Sequence, residues 1–150
     1  MAGSEVEKVL ARIEASWSGL MAVLATVPDD RLVAPGIVGA WSVADLFGHL
    51  AVWDDIAVEA VGRYLAGEPA APIDADPINA RESAVRAGLS VAEQRTEMAA
   101  AHDRLWAMVV GLSDPDLAVP GVRERIAADT YDHYDEHAAE VRAWFAGGGT

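Results

Sequence analysis

From Val6 the apolar side chains recur at Leu10, Ile13, Trp17, Leu20 and Leu24, a spacing that puts all six on one face of an α-helix, and Pro28 follows where such a helix must stop. A strand cannot satisfy that period, because its faces alternate every second residue. The same period returns three more times. A second helix opens at Ser42, with Asp45 at the capping-box position, and carries Leu46, Leu50, Trp53, Ala57 and Tyr64. Ser90 and Glu93 form another capping box and open a third, whose face holds Met98, His102, Leu105 and Val109. A fourth runs from about Val122 to Phe145 with Ile126, Thr130, His133, His137, Val141 and Trp144 on one side. Gly67, Pro69, Pro72 and Pro77 make a crossover read as free of regular helix, with a short turn over residues 80–87. β-Branched residues nowhere alternate with polar ones for long. The reading is all-α, a four-helix bundle with a longer crossover between helices 2 and 3.

With 150 residues, 52% of them hydrophobic, the chain can bury a core as a single domain over 1–150. It has no cysteine, so disulfides, thiolate nucleophiles and sulfur ligands are excluded and any metal must be held by nitrogen and oxygen. The start, MAGSEVEKVL, has no basic segment followed by an apolar run, and no stretch reaches membrane-span length. The expectation is a cytoplasmic protein. Its formal charge of −13 repels phosphate backbones and anionic lipid, which argues against nucleic acid and membranes as partners. A small-molecule substrate and a homodimer remain open.

Pro28 to Ile37, PDDRLVAPGI, resembles Ser113 to Val122, SDPDLAVPGV. Each stretch precedes a histidine-bearing helix. His49 lies thirteen residues after Gly36 and His133 twelve after Gly121, so the repeat favours a shared height for the two histidines. His133 and His137, i and i+4, share a helical face. Three histidines on apolar faces are costly to bury without partners. Each could be a core histidine satisfied by a carbonyl or carboxylate. Together they could instead be the first shell of a zinc or nickel site with an open position. Spacing permits both readings, because two histidines four apart are a permissive pattern.

Other residues have plain and functional readings side by side. Trp41, Trp53, Trp106 and Trp144 suit core and cap packing, and Trp53 and Trp144 are also candidates for the wall of a substrate pocket. His102 is the candidate general acid or base outside a metal shell, or a satisfied core histidine. Glu140, three residues after His137, and Asp45, one turn before His49, could each accept the free ring N–H of a ligand histidine, or cap and solvate a helix. Glu140 and His102 are the candidate catalytic residues. Tyr131 and Tyr134 flank His133 and receive no role. The glycines from Gly147 to Gly149 are expected to fray.

GAWSVADLFGHLAVWD, Gly39 to Asp54, resembles the second-helix signature of the DinB/YfiT-like superfamily, a Trp-Ser/Thr approach followed by an acidic residue, Leu and His-Leu. TYDHYDEHAAEVRAW resembles its fourth-helix signature, above all in the ClbS/DfsB-like branch. The resemblance spans the chain. It implies a four-helix bundle binding a divalent metal through His49, His133 and His137. In the related mycothiol-dependent maleylpyruvate isomerases the first fourth-helix ligand is glutamate, where this chain has His133. The resemblance further implies chemistry on electrophilic small molecules. One branch opens reactive rings hydrolytically, in detoxification or self-resistance, and another works as thiol-dependent transferases or isomerases. Without cysteine, the second route needs a low-molecular-weight thiol as a second cofactor. A third class, non-catalytic sequestration of a small molecule in the bundle, would not use the metal for chemistry.

Overall fold

A computed structural model describes residues 3–147. Gly148 and Gly149, where fraying is expected, lie outside the described residues. Every regular element among the described residues is helical: α1 (Glu5–Leu24), α2 (Val43–Leu65), α3 (Ala75–Arg86), α4 (Val91–Val110), α5 (Asp114–Leu117), α6 (Val122–Asp129) and α7 (Tyr131–Ala146), with a 3₁₀ turn at Asp29–Arg31. Among the described residues, β pairing is limited to one isolated bridge between Val38 and Trp41. No described helix is long and apolar enough to cross a membrane.

The helix starts follow from capping chemistry. Ser4, Ser42, Ser90 and Ser113 each accept the N–H of the third helical residue, and Glu7, Asp45, Glu93 and Asp116 reach back to the cap N–H. Two of the four orphan donors of each helix end are satisfied this way. Asp114 does more than open its own short helix. Its carboxylate accepts the N–H groups of Glu5 and Val6, which ties the start of α1 to the far end of the chain.

α2 is the central element. It packs against α4, α6, α3 and α7, while α1 lies along α7 and α4. Ile13, Leu20, Leu46, Phe47, Leu50, Leu105, Ile126 and Val141 are sealed in the interior. Each such side chain contributes about 1.5–3 kcal/mol through the apolar surface removed from water. The bundle is therefore held by the stripes that the period of the sequence dictates.

Two stretches depart from the sequence reading. Residues 75–86 form a helix of three turns, not a structureless crossover with a short turn. Asp74 caps it through Asp76 N–H, and Pro77 falls in the first turn, where its missing N–H would have had no intrahelical partner. The fourth periodic stretch is also broken in two. Thr130 takes φ −115° and ψ −101°, which no helix accommodates, and both its N–H and its hydroxyl turn back to the Ile126 carbonyl. The break resets the course of the chain immediately before the turn that carries His133.

The repeated approach segments match in part. Gly36 and Gly121 both adopt positive φ, 111° and 90°. At Gly121 a Cβ would lie 2.3 Å from Ala70 Cβ, so both the backbone conformation and the space demand glycine.

Candidate metal centre

α2 contributes His49 and α7 contributes His133 and His137, and the three rings meet at their Nε2 atoms. His133 Nε2 stands 2.9 Å from His49 Nε2 and 2.9 Å from His137 Nε2. The common height expected of His49 and His133 is thus realised. One candidate donor atom from each ring lies within 4.8 Å of the others.

Hydrogen bonding among three neutral rings cannot account for this cluster. His137 Nδ1 is 2.7 Å from Glu140 Oε2 and donates to it, which in the neutral form of the ring leaves Nε2 bare toward His133. His133 Nε2 faces two imidazole nitrogens, and one proton can serve only one of them with good alignment. The other contact then sets lone pair against lone pair. A divalent cation between the rings answers both, and three neutral imidazoles are a suitable donor set for one. Burial holds His49 and His133 neutral. It pushes His49 down to about 2, aided by the neighbouring His133 and His137 and by Arg86, and pushes His133 down to about 3, aided by His137. His133 Nδ1 makes no hydrogen bond of good geometry, and the nearby acceptor is the Asp129 carbonyl.

A cleft of about 390 Å³ opens onto the cluster. Trp41 and Trp53 wall it on the α2 side, with ring centroids 4.8 and 6.4 Å from that of His49. Asn79 comes from α3, where its Oδ1 accepts the Trp53 indole N–H at 2.9 Å. Asp129, Glu136 and Glu140 supply the acidic side. Burial raises the Asp129 carboxyl to about 6 even though Arg125 is bonded to its Oδ1.

The residues singled out in the sequence fall into three places. His49, His133, His137, Glu140 and Trp53 come together at the cleft. Asp45 does not join them through hydrogen bonds of its own: its Oδ2 accepts both the N–H and the hydroxyl of Ser42, as a cap. Trp144 packs in the core, edge-on to Phe145 and beneath Arg31, and is absent from the cleft wall.

His102 lies in a separate buried relay. Its ring stacks on Trp17 at 3.7 Å and 5°, and its Nδ1 is 3.1 Å from the Tyr134 oxygen. Tyr134 in turn donates to Asp54 Oδ1 at 2.7 Å. The phenolic proton is committed to Asp54, so His102 donates its Nδ1–H to Tyr134. Burial pushes His102 down to about 4 and raises Asp54 well above the usual carboxylate range. Tyr134, given no role from the sequence, is fully buried and joins α2, α4 and α7 through this relay.

Trp41, Asn79, Asp129 and Glu136 on the cleft wall are additions to the sequence reading. Trp41 carried only a packing role there, and Asn79 was hidden in residues read as a loop.

The sequence profile described as the DinB superfamily matches residues 12–146. Two solved structures share the fold. One is a crystal structure of an uncharacterised protein from Escherichia coli UTI89, with a TM-score of 0.79 at 16% identity, covering 99% of this chain and 96% of that one. The other is the sibling lethal factor precursor DfsB, with a TM-score of 0.78 at 17% identity, covering 99% of this chain and 98% of that one. No curated protein matches the sequence significantly.

Proposed function

The chain belongs to the DinB superfamily, and on that premise we propose that it is a divalent-metal-dependent enzyme acting on small electrophilic molecules, by hydrolysis or ring opening. The observation that carries the reading is the meeting of three imidazole Nε2 atoms beneath an open cleft, with a carboxylate fixing one of the rings. We read the scaffold as a four-helix bundle of α1, α2, α4 and the broken α6–α7 rod, with α3 in the crossover.

His49, His133 and His137 would hold the ion, zinc or nickel by the character of their donors. Bound there, the ion supplies Lewis acidity, which polarises an electrophile and lowers the pKa of water or a thiol toward neutrality. Glu140 is a positioning residue: it accepts the Nδ1–H of His137, holds the ring in the tautomer whose Nε2 is free, and raises the basicity of that nitrogen. Trp41 and Trp53 give the cleft a flat apolar wall against which an uncharged or aromatic molecule loses its water. His102 is assigned to the fold, since it lines no part of the cleft.

A second reading uses the same centre with a thiol, which a chain without cysteine must take from outside. Thiol transfer onto the same electrophiles would require a small-molecule thiol to enter the cleft. Incubation of the zinc-loaded protein with an epoxide, with and without added thiol, separates the two. Diol formation without thiol supports hydrolysis, a thioether formed only with thiol supports transfer, and turnover that survives His49→Ala overturns both.

A further inference from the structure

Arg86 is the last residue of α3 and is 5% exposed, yet its Nε and Nη2 are sealed from solvent with no hydrogen-bond partner. A guanidinium keeps its charge throughout the accessible pH range and offers five N–H donors in a flat fork. Buried charges are paired or bonded, and among the described residues this one has no ion pair or hydrogen bond at either sealed nitrogen. Asp45 and Glu82 attract it from a distance. Asp45, however, is committed to Ser42, and Glu82 lies against Arg81.

The side chain occupies a seat shaped for it. It crosses α2 at Gly48, beside His49, and a Cβ at that position would lie 1.7 Å from Arg86 Cδ. Its guanidinium carbon is 5.9 Å from the centroid of Trp41, a ring of the cleft wall. An unpaired cation has therefore been placed behind the His49–Trp41 side of the cleft, in a space that only glycine leaves open.

We propose that Arg86, seated behind the Trp41–His49 wall of the cleft and not on its lining, is an anion-binding, specificity-determining residue, and that the molecule handled at the three imidazoles carries a carboxylate that reaches past that wall to its guanidinium. The proposal rests on the metal-centre reading above. A carboxylate accepts a charge-assisted hydrogen bond from a guanidinium N–H more strongly than a neutral acceptor does. A single negative charge also suits a chain of formal charge −13, which repels polyanions. Nε and Nη2 are sealed, which leaves Nη1 as the donor from which the carboxylate would accept. The carboxylate could belong to the electrophile or to a thiol that attacks it.

Calorimetric titration tests this with two matched pairs of probes, benzoate against benzamide and mercaptoacetate against 2-mercaptoethanol. Each pair is titrated into metal-free and zinc-loaded wild type, Arg86→Gln and Arg86→Lys. Zinc stoichiometry should be the same in all three proteins. In the wild type a carboxylate probe should bind roughly tenfold more tightly than its neutral partner, as a charge-assisted hydrogen bond predicts. The preference should vanish in Arg86→Gln and survive in part in Arg86→Lys. A preference confined to mercaptoacetate places the carboxylate on the thiol, and one shared by benzoate places it on the electrophile. Equal binding within both pairs by the wild type, or an undiminished preference in Arg86→Gln, overturns the proposal. If zinc is not taken up but metal-free wild type prefers benzoate and Arg86→Gln does not, the metal reading fails and the role of Arg86 stands. The metal-free titrations separate pairing with Arg86 from ligation of the carboxylate to zinc, and Arg86→Lys, which keeps the charge, serves as the comparison if Arg86→Gln does not fold.

Discussion

Glu140 Oε2 lies 2.7 Å from His137 Nδ1, one turn further along α7. The pair fixes which nitrogen of His137 carries the proton and therefore which one is free to bind. It also separates two kinds of histidine within one bundle. His137 has its outer nitrogen satisfied and its inner nitrogen bare, whereas His102 has its Nδ1–H spent on Tyr134 and plays its part in packing.

Replacing Glu140 by Gln should leave the fold intact and weaken metal affinity about 10- to 100-fold, the usual effect of losing a carboxylate behind a ligand histidine. Competition against a chelator of known affinity reads this directly. Unchanged affinity would remove Glu140 from the site.

Tyr134→Phe should destabilise the protein by about 1–3 kcal/mol, because it leaves Asp54 Oδ1, like Oδ2 already, buried without a partner. A fall in the urea midpoint at constant slope would show it. A variant as stable as the wild type would mean that Asp54 is held by something other than this hydroxyl.

Acid should weaken the metal-free protein through its buried histidines. Burial holds His102 down to about 4, against 6.5 in an unfolded chain. Between pH 6.5 and 4 the unfolded chain therefore binds a proton that the folded protein refuses, and stability falls as pH falls. The contribution reaches about 1.4 kcal/mol per pH unit for each such ring. Asp129, raised to about 6, works in the opposite sense over part of that range, since its folded form gains a proton first. Comparing wild type with His102→Gln cancels that effect. The wild-type profile should be the steeper one, and parallel profiles would count against a neutral buried His102.

Gly121→Ala should cost about 1–3 kcal/mol, the range for a non-glycine residue held in a sparsely populated backbone region. The new Cβ also meets Ala70. Thermal unfolding checks this, and an unaltered midpoint would show that the loop before α6 yields.

Most of the scaffold was legible because its signals are local. Ser42 with Asp45 and Ser90 with Glu93 form the capping boxes expected of them, and the stripe from Val6 to Leu24 lies on α1. His49, His133 and His137 could be singled out because polar rings on apolar stripes stand out against their neighbours. What escaped was set by tertiary context. Pro77 suggested a loop, but three residues after the Asp74 cap a proline costs the helix nothing, and α3 was missed together with Asn79 and Arg86. Thr130 carries no breaker signal. Its break shows only in how its hydroxyl and N–H turn back on Ile126. Trp144 shares the stripe of His133 and His137, yet it is in the core, because the stripe continues past the mouth of the cleft into the packing beneath.

The most direct test is the metal content of protein purified without an affinity tag and reloaded with zinc or nickel, measured by elemental analysis for wild type and His133→Ala together. About one ion per wild-type chain, and a large loss in the variant, is the result expected of three imidazoles acting as one site. Wild-type protein without stoichiometric zinc, nickel, iron or manganese, or a His133→Ala variant that keeps its full complement, would contradict the account.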